Sequence, residues 1–213
     1  MSEVRIYNAY DLDAAEWRQL QGISRDAFAG TLDRSQQEVD ALVEWNDPMS
    51  YHYSHRDPNW TVDKWYNANQ SYSEPRVAVV TYASEVIGFA YSANNVSGKT
   101  AYDPDDKHLT LIKNYLWLRE VAVAPGFQYR GFASVLVVTL LENAVDLQLQ
   151  PVSTYIWPDE MKHMQESLEI VGFEATGEQD VRVFGEDSLP IRQMRMQAAS
   201  ARSVLKRMVN IEA

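Results

Sequence analysis

Residues 121–133 read VAVAPGFQYRGFA and lead straight into the apolar run SVLVVTLLENAV. An apolar strand stops at Pro125–Gly126, a short loop follows, and a helix begins near Phe132. The start of a helix presents N–H groups without intrahelical acceptors and a partial positive charge. Gly131, just ahead of it, lets the backbone close on an anion with no Cβ in between. Ala133 is small in the same sense, and Gln128 and Arg130 add side-chain donors. Four or five charge-assisted hydrogen bonds, each worth about 1.5–3 kcal/mol, would hold a diphosphate there. The spacing matches neither the nucleotide P-loop nor the G-x-G-x-x-G dinucleotide pattern. On these residues alone, an ordinary strand–turn–helix link stays equally open.

An anion grip would be a local exception in this chain. Its 213 residues carry 30 Asp and Glu against 19 Lys and Arg, for a net charge of −11. That balance argues against nucleic acid and anionic membranes as partners and favours small cationic substrates. No apolar run approaches the roughly 18–20 residues of a membrane span, and no secretory signal is visible, so a cytoplasmic protein is expected. With no cysteine, thiolate nucleophiles and Cys-based zinc sites are ruled out. The four histidines are His52, His55, His108 and His163. His52 and His55 share a helical face in HYSH, yet no third ligand accompanies them, so no metal site is expected.

The elements that must position the loop read as follows. A first strand over 4–9 precedes a helix over 14–28, capped by Asp11 or Asp13. A second helix is expected over 35–45, then an aromatic-rich stretch over 45–72. RVAVVTY (76–82) and VIGFAYS (86–92) form a hairpin about Ala83–Glu85. NYLWLREVAVA (114–124) and VSTYIW (152–157) are strands stopped by prolines. A short helix within 159–173 ends at Gly172 in a left-handed position. Strands over 173–184 and 190–197 and a helical tail close the chain. Helices among strands with short links give one αβ domain over 1–213.

Gln128–Ala133 resembles the Q/R-x-x-G-x-G/A signature of the GNAT superfamily of N-acetyltransferases. EVAVAP before it is similar to that family's fourth strand, and LEIVGF (168–173) to its helix-to-strand junction. The resemblance is clear over 76–184 and rests on element order over 1–75. It implies an α+β fold in three layers: a mixed, mostly antiparallel central sheet flanked by helices, with strands four and five splayed. Residues 1–75 would then form the acceptor side, 76–184 the acyl-CoA-binding core, and 185–213 the last strand and tail. It implies acetyl-CoA as acyl donor, with Val121, Ala122 and Val123 pairing with the pantetheine arm like an added strand. Gln128, Tyr129, Arg130, Gly131, Phe132, Ala133 and Ser134 would cradle the diphosphate.

The chemistry implied is direct acetyl transfer to a primary amine of a small, cationic acceptor. Such an amine has a pKa near 10.4, so at pH 7 only about one in 2500 is neutral, a handicap of about 4.6 kcal/mol. Burial, a general base or a water chain must relieve it. The backbone N–H of Val121 is the expected donor to the oxyanion. Glu120 is the candidate base, although strict alternation points it away from Trp117 and Arg119 unless a bulge re-aims it. The family often has a tyrosine four residues before Gly-Phe to protonate the leaving thiolate; this chain has Leu168. Tyr155 or a water would substitute. His163 reads as a solvated side chain or as one facing the acyl slot. The aromatic stretch over 45–72 either walls an acceptor pocket or anchors a loop. The alternative function is a non-catalytic acyl-CoA-binding or regulatory protein on the same fold, and the C-terminal strand and tail would suit a homodimer contact.

Overall fold

The computed structural model describes residues 2–31, 76–95, 115–146, 150–156, 162–175, 180–184 and 187–196. The expected helix over 35–45, the aromatic stretch over 45–72, His52, His55, His108 and the tail lie outside the described residues.

Strand β1 (Ser2–Asn8) leads through a short 3-10 turn into helix α1 (Ala14–Thr31). Asp13, rather than Asp11, caps it. Its Oδ1 accepts the Ala15 and Glu16 N–H groups at 2.7 and 2.9 Å, and Glu16 Oε2 accepts the Asp13 N–H at 2.7 Å. This reciprocal box satisfies donors that a helix start leaves open. The amides of Glu16 and Ala15 hold the Asp13 carboxyl below its ordinary value.

Strands β2 (Arg76–Tyr82) and β3 (Glu85–Asn95) form the expected hairpin, turning through Ala83 and Ser84, both with positive φ. Then come β4 (Tyr115–Val123), helix α2 (Phe132–Asp146), β5 (Gln150–Ile156) and helix α3 (Lys162–Val171). Gly172 ends α3 with φ 102°, its N–H on Glu169 O and the Phe173 N–H on Leu168 O, both at 2.9 Å. That is the left-handed stop the sequence suggests. The stretch expected as one strand over 173–184 is two, β6 (Glu174–Ala175) and β7 (Asp180–Phe184), and β8 (Asp187–Arg195) pairs with both.

The sheet runs β1-β2-β3-β4-β5-β8-β6, with β7 also on β8. Every pairing is antiparallel except β4 with β5. One face carries Leu116, Leu118, Val121 and Val123 into a core with Leu136, Val137, Leu140 and Leu141 of α2 and Leu168 and Val171 of α3. The opposite face packs Phe89, Tyr91 and Ala122 against Leu20, Ile23 and Ala27 of α1. The protein is therefore an α+β sheet between helical layers, as the sequence indicates.

Candidate active site

Strands β4 and β5 are partners only from Tyr115–Leu118 against Gln150–Ser153. Beyond Leu118 the strands part, while β4 continues against β3 as far as Val123. The expected splay is present. Peptide groups alternate in direction along a strand. The Ala124 N–H donates to Ile87 O on β3 at 2.8 Å, so Ala124 and Ala122 turn their peptide groups towards β3. Val121 and Val123 turn theirs the other way, into the space β5 has vacated. The Val123 carbonyl there accepts the Gln128 side-chain amide at 3.0 Å. One donor of Gln128 thus closes the end of β4 instead of waiting for an anion.

After β4 a short 3-10 turn over Pro125–Phe127 swings the chain into the loop ahead of α2. Tyr129 and Gly131 have φ of 61° and 84°. The left-handed region costs an L-residue about 1–2 kcal/mol, so glycine at 131 follows from the backbone itself. A Cβ there would meet no protein atom within 4 Å, which leaves the main chain bare on that side. The first bond of α2 runs from the Val135 N–H to Gly131 O at 3.1 Å. The N–H groups of Phe132, Ala133 and Ser134 precede it and have no carbonyl one turn back within the helix.

These parts meet at one cavity of about 180 Å³. Of the ten residues assigned from sequence to the donor, Val121, Ala122, Val123, Gln128, Tyr129, Gly131, Phe132, Ala133 and Ser134 line it. Arg130 does not; it is exposed, with its guanidinium carbon 5.5 Å from the centroid of the Phe127 ring. The remaining wall is Ala27 and Phe28 of α1, Phe127, and His163, Met164 and Ser167 of α3. His163 is largely exposed, one of the two readings the sequence allowed, and its place on the wall is beside Tyr129. It meets the Tyr129 ring edge-on at 5.6 Å, and its Nδ1 lies 3.2 Å from Glu166 Oε2.

Glu120 sits behind this wall, one residue before Val121. In the β3–β4 register Tyr91 faces Glu120 and Ser92 faces Leu118, so Arg119 is an extra residue, a bulge. Trp117 and Arg119 alternate with Leu116 and Leu118 and therefore face α1, where the Arg119 guanidinium carbon lies 4.1 Å from the Trp117 ring centroid. The bulge keeps Glu120 on that same side. Strict alternation is thereby corrected: the carboxylate points to α1, where Ser24 Oγ donates to its Oε1. Glu120 is 8% exposed and is the one buried Asp, Glu, Lys, Arg or His side chain among the described residues. Burying a carboxylate costs several kcal/mol unless it is hydrogen-bonded, so its presence here asks for a role.

Residues 39–173, more than half the chain, match the acetyltransferase (GNAT) family. This chain belongs to that family. Its fold is that of the spermidine/spermine N-acetyltransferase SpeG from Vibrio cholerae, solved in mutant forms, with TM-score 0.54 and 15% identity over 95% of this chain and 96% of that one. It also matches Escherichia coli ElaA, with TM-score 0.52 and 16% identity over 92% and 100%. The PaiA N-acetyltransferase from Thermoplasma acidophilum, solved with coenzyme A, gives TM-score 0.52 and 11% identity over 89% and 98%. No curated protein matches the chain in sequence.

A GNAT enzyme takes its acetyl group from acetyl-CoA, and the residues present fit that donor. The open edge of β4 suits an extended pantetheine arm, and the bare loop and free amides of α2 suit a diphosphate. The departure at Leu168 stands: its side chain is 1% exposed, within the core between α2 and the sheet, and offers no proton. The Tyr155 side chain lies outside the described residues. The groups of α3 that do reach the cavity are His163, Met164 and Ser167, with Ser167 Oγ donating to His163 O at 2.8 Å. Sequence reasoning missed Ala27, Phe28, Met164 and Ser167 because they reach the cavity from helices distant in sequence. Among the described residues no three His, Asp or Glu side chains cluster as a metal site, and no helix is long and apolar enough to cross a membrane.

Proposed function

We propose that this GNAT enzyme moves the acetyl group directly onto a primary amine of a small cationic acceptor, with Glu120 as general base. The observation that carries this reading is the buried Glu120 carboxylate, one residue from a β4 edge that is open where β5 departs. Bound acetyl-CoA supplies an acetyl thioester at that edge. The Val121 N–H, turned into the same space, is placed to stabilise negative charge gathering on the acetyl oxygen. Glu120 takes the proton that a protonated amine must lose before it can attack. A net charge of −11 draws cations towards the protein. The fold shared with SpeG, a spermidine/spermine N-acetyltransferase, agrees with such an acceptor class.

Val121, Ala122 and Val123 would seat the pantetheine arm. Gln128 to Ser134 would seat the diphosphate, with Arg130 contributing charge from outside the wall. The test is release of free coenzyme A thiol from acetyl-CoA across a panel of polyamines, amino sugars, amino acids and peptide N-termini. Turnover is expected with cationic small amines and not with neutral ones at equal concentration. The buried Leu168 favours a second reading, a non-catalytic acyl-CoA-binding protein. Tight coenzyme A binding with no turnover on the whole panel would establish it.

A further inference from the structure

A serine in the middle of a helix ordinarily turns its hydroxyl to water or back to the carbonyl one turn earlier. Ser24, in the middle of α1, does neither. It is 1% exposed, and its Oγ–H donates to Glu120 Oε1 across 96 residues of sequence. Three polar or charged side chains are buried among the described residues, Ser24, Ser92 and Glu120, and two of them are this pair. Ser24 also lies three and four residues before Ala27 and Phe28, which line the cavity from the same helix. One turn of α1 therefore separates the serine from the cavity wall, and one residue of β4 separates Glu120 from Val121.

We propose that Ser24 is a positioning residue for the acetyl transfer, holding the Glu120 carboxylate ionised and aimed at the acceptor amine. This rests on the reading of Glu120 as base. A hydroxyl that donates to a carboxylate favours its charged form, and a buried carboxylate stripped of a donor takes up a proton more readily. The bond also spans α1 and β4, so it fixes the carboxylate relative to both walls of the slot. The groups around Glu120 are Ser24 of α1, Tyr91 opposite on β3 and Arg119 on its own strand. Arg25 and Asp26 flank Ser24 but are exposed. Ser24 itself touches no reacting atom; its effect passes through Glu120.

The experiment compares wild type with Ser24→Ala, Ser24→Thr and Glu120→Gln. It follows the pH profile of kcat/KM, coenzyme A affinity by calorimetry, and the Glu120 carboxyl by carbon-13 NMR, assigned by its loss in Glu120→Gln. In Ser24→Ala the NMR midpoint and the acid limb of kcat/KM both move up by about one pH unit. Turnover at pH 7 falls about tenfold. Coenzyme A affinity stays within twofold, which also reports an intact fold, and Ser24→Thr recovers most of the loss. An unmoved NMR midpoint in Ser24→Ala, or no recovery with threonine, overturns the role of Ser24 even if Glu120→Gln is inactive. Wild-type turnover in Glu120→Gln overturns the base itself, whatever the NMR midpoint does in Ser24→Ala.

Discussion

The two parts of the proposed site are made of different material. The proposed diphosphate end is main chain: a loop with two left-handed residues, one of them the exposed Tyr129, and the leading N–H groups of α2. The proposed transfer end, behind the cavity wall, is side chain: one buried carboxylate, one buried serine and a bulge that turns the first towards the second. Short of proline, no substitution removes a main-chain N–H, so the first end is damaged chiefly by changing backbone shape or adding charge. The second depends on single atoms. On the proposed reading, a site divided in this way separates holding the donor from using it.

The largest effect that would sharpen this division is at Glu120. Glu120→Gln keeps shape and burial but cannot take a proton, so turnover is expected to fall about 100-fold or more. Coenzyme A affinity by calorimetry should remain within twofold; a parallel loss of both would break the division. At the other end, Gly131→Glu forces a side chain into the left-handed region and brings a negative charge to the diphosphate. Coenzyme A affinity is expected to fall about 100-fold, against roughly tenfold for Gly131→Ala, which carries the backbone cost of about 1–2 kcal/mol alone. Equal affinities for the two variants would show that charge plays no part there.

The smallest effect concerns the scaffold behind Ser24. Asp13→Ala removes the cap of α1 and is expected to lower the melting temperature without changing coenzyme A affinity. The sign with pH follows from the cap itself. The Glu16 and Ala15 amides lower the Asp13 carboxyl in the folded state, so its contribution is full above the unfolded value and disappears as pH falls through the folded one. The gap in melting temperature between wild type and variant should therefore close on acidification. A gap that stays constant to low pH would exclude the carboxylate as its source.

The same division explains what could be read in the sequence. The backbone end was legible because its requirements are local. A left-handed turn needs Gly131, a close approach needs Ala133, and a helix start needs an apolar periodic run, all within 121–145. Nine of the ten residues that the resemblance to the GNAT superfamily implies for the donor line the cavity. The side-chain end was legible only as a residue type. Whether Glu120 faces α1 or α2 depends on the extra residue at Arg119, and that bulge exists only in the pairing with β3. Ser24, Ala27 and Phe28 become neighbours of β4 only when α1 docks on the sheet. No local spacing records such a contact. The break between β6 and β7 was missed for a related reason: where a strand along β8 is interrupted is settled by its partner.

The parting of β4 from β5 carries a hazard along with its use. An uncovered strand edge is a template on which a stray polypeptide can pair, the first step towards aggregation. Here the edge runs into the cavity whose lining includes Phe28 of α1 and Met164 of α3. A second strand pairing along that edge would take the place proposed for the pantetheine arm.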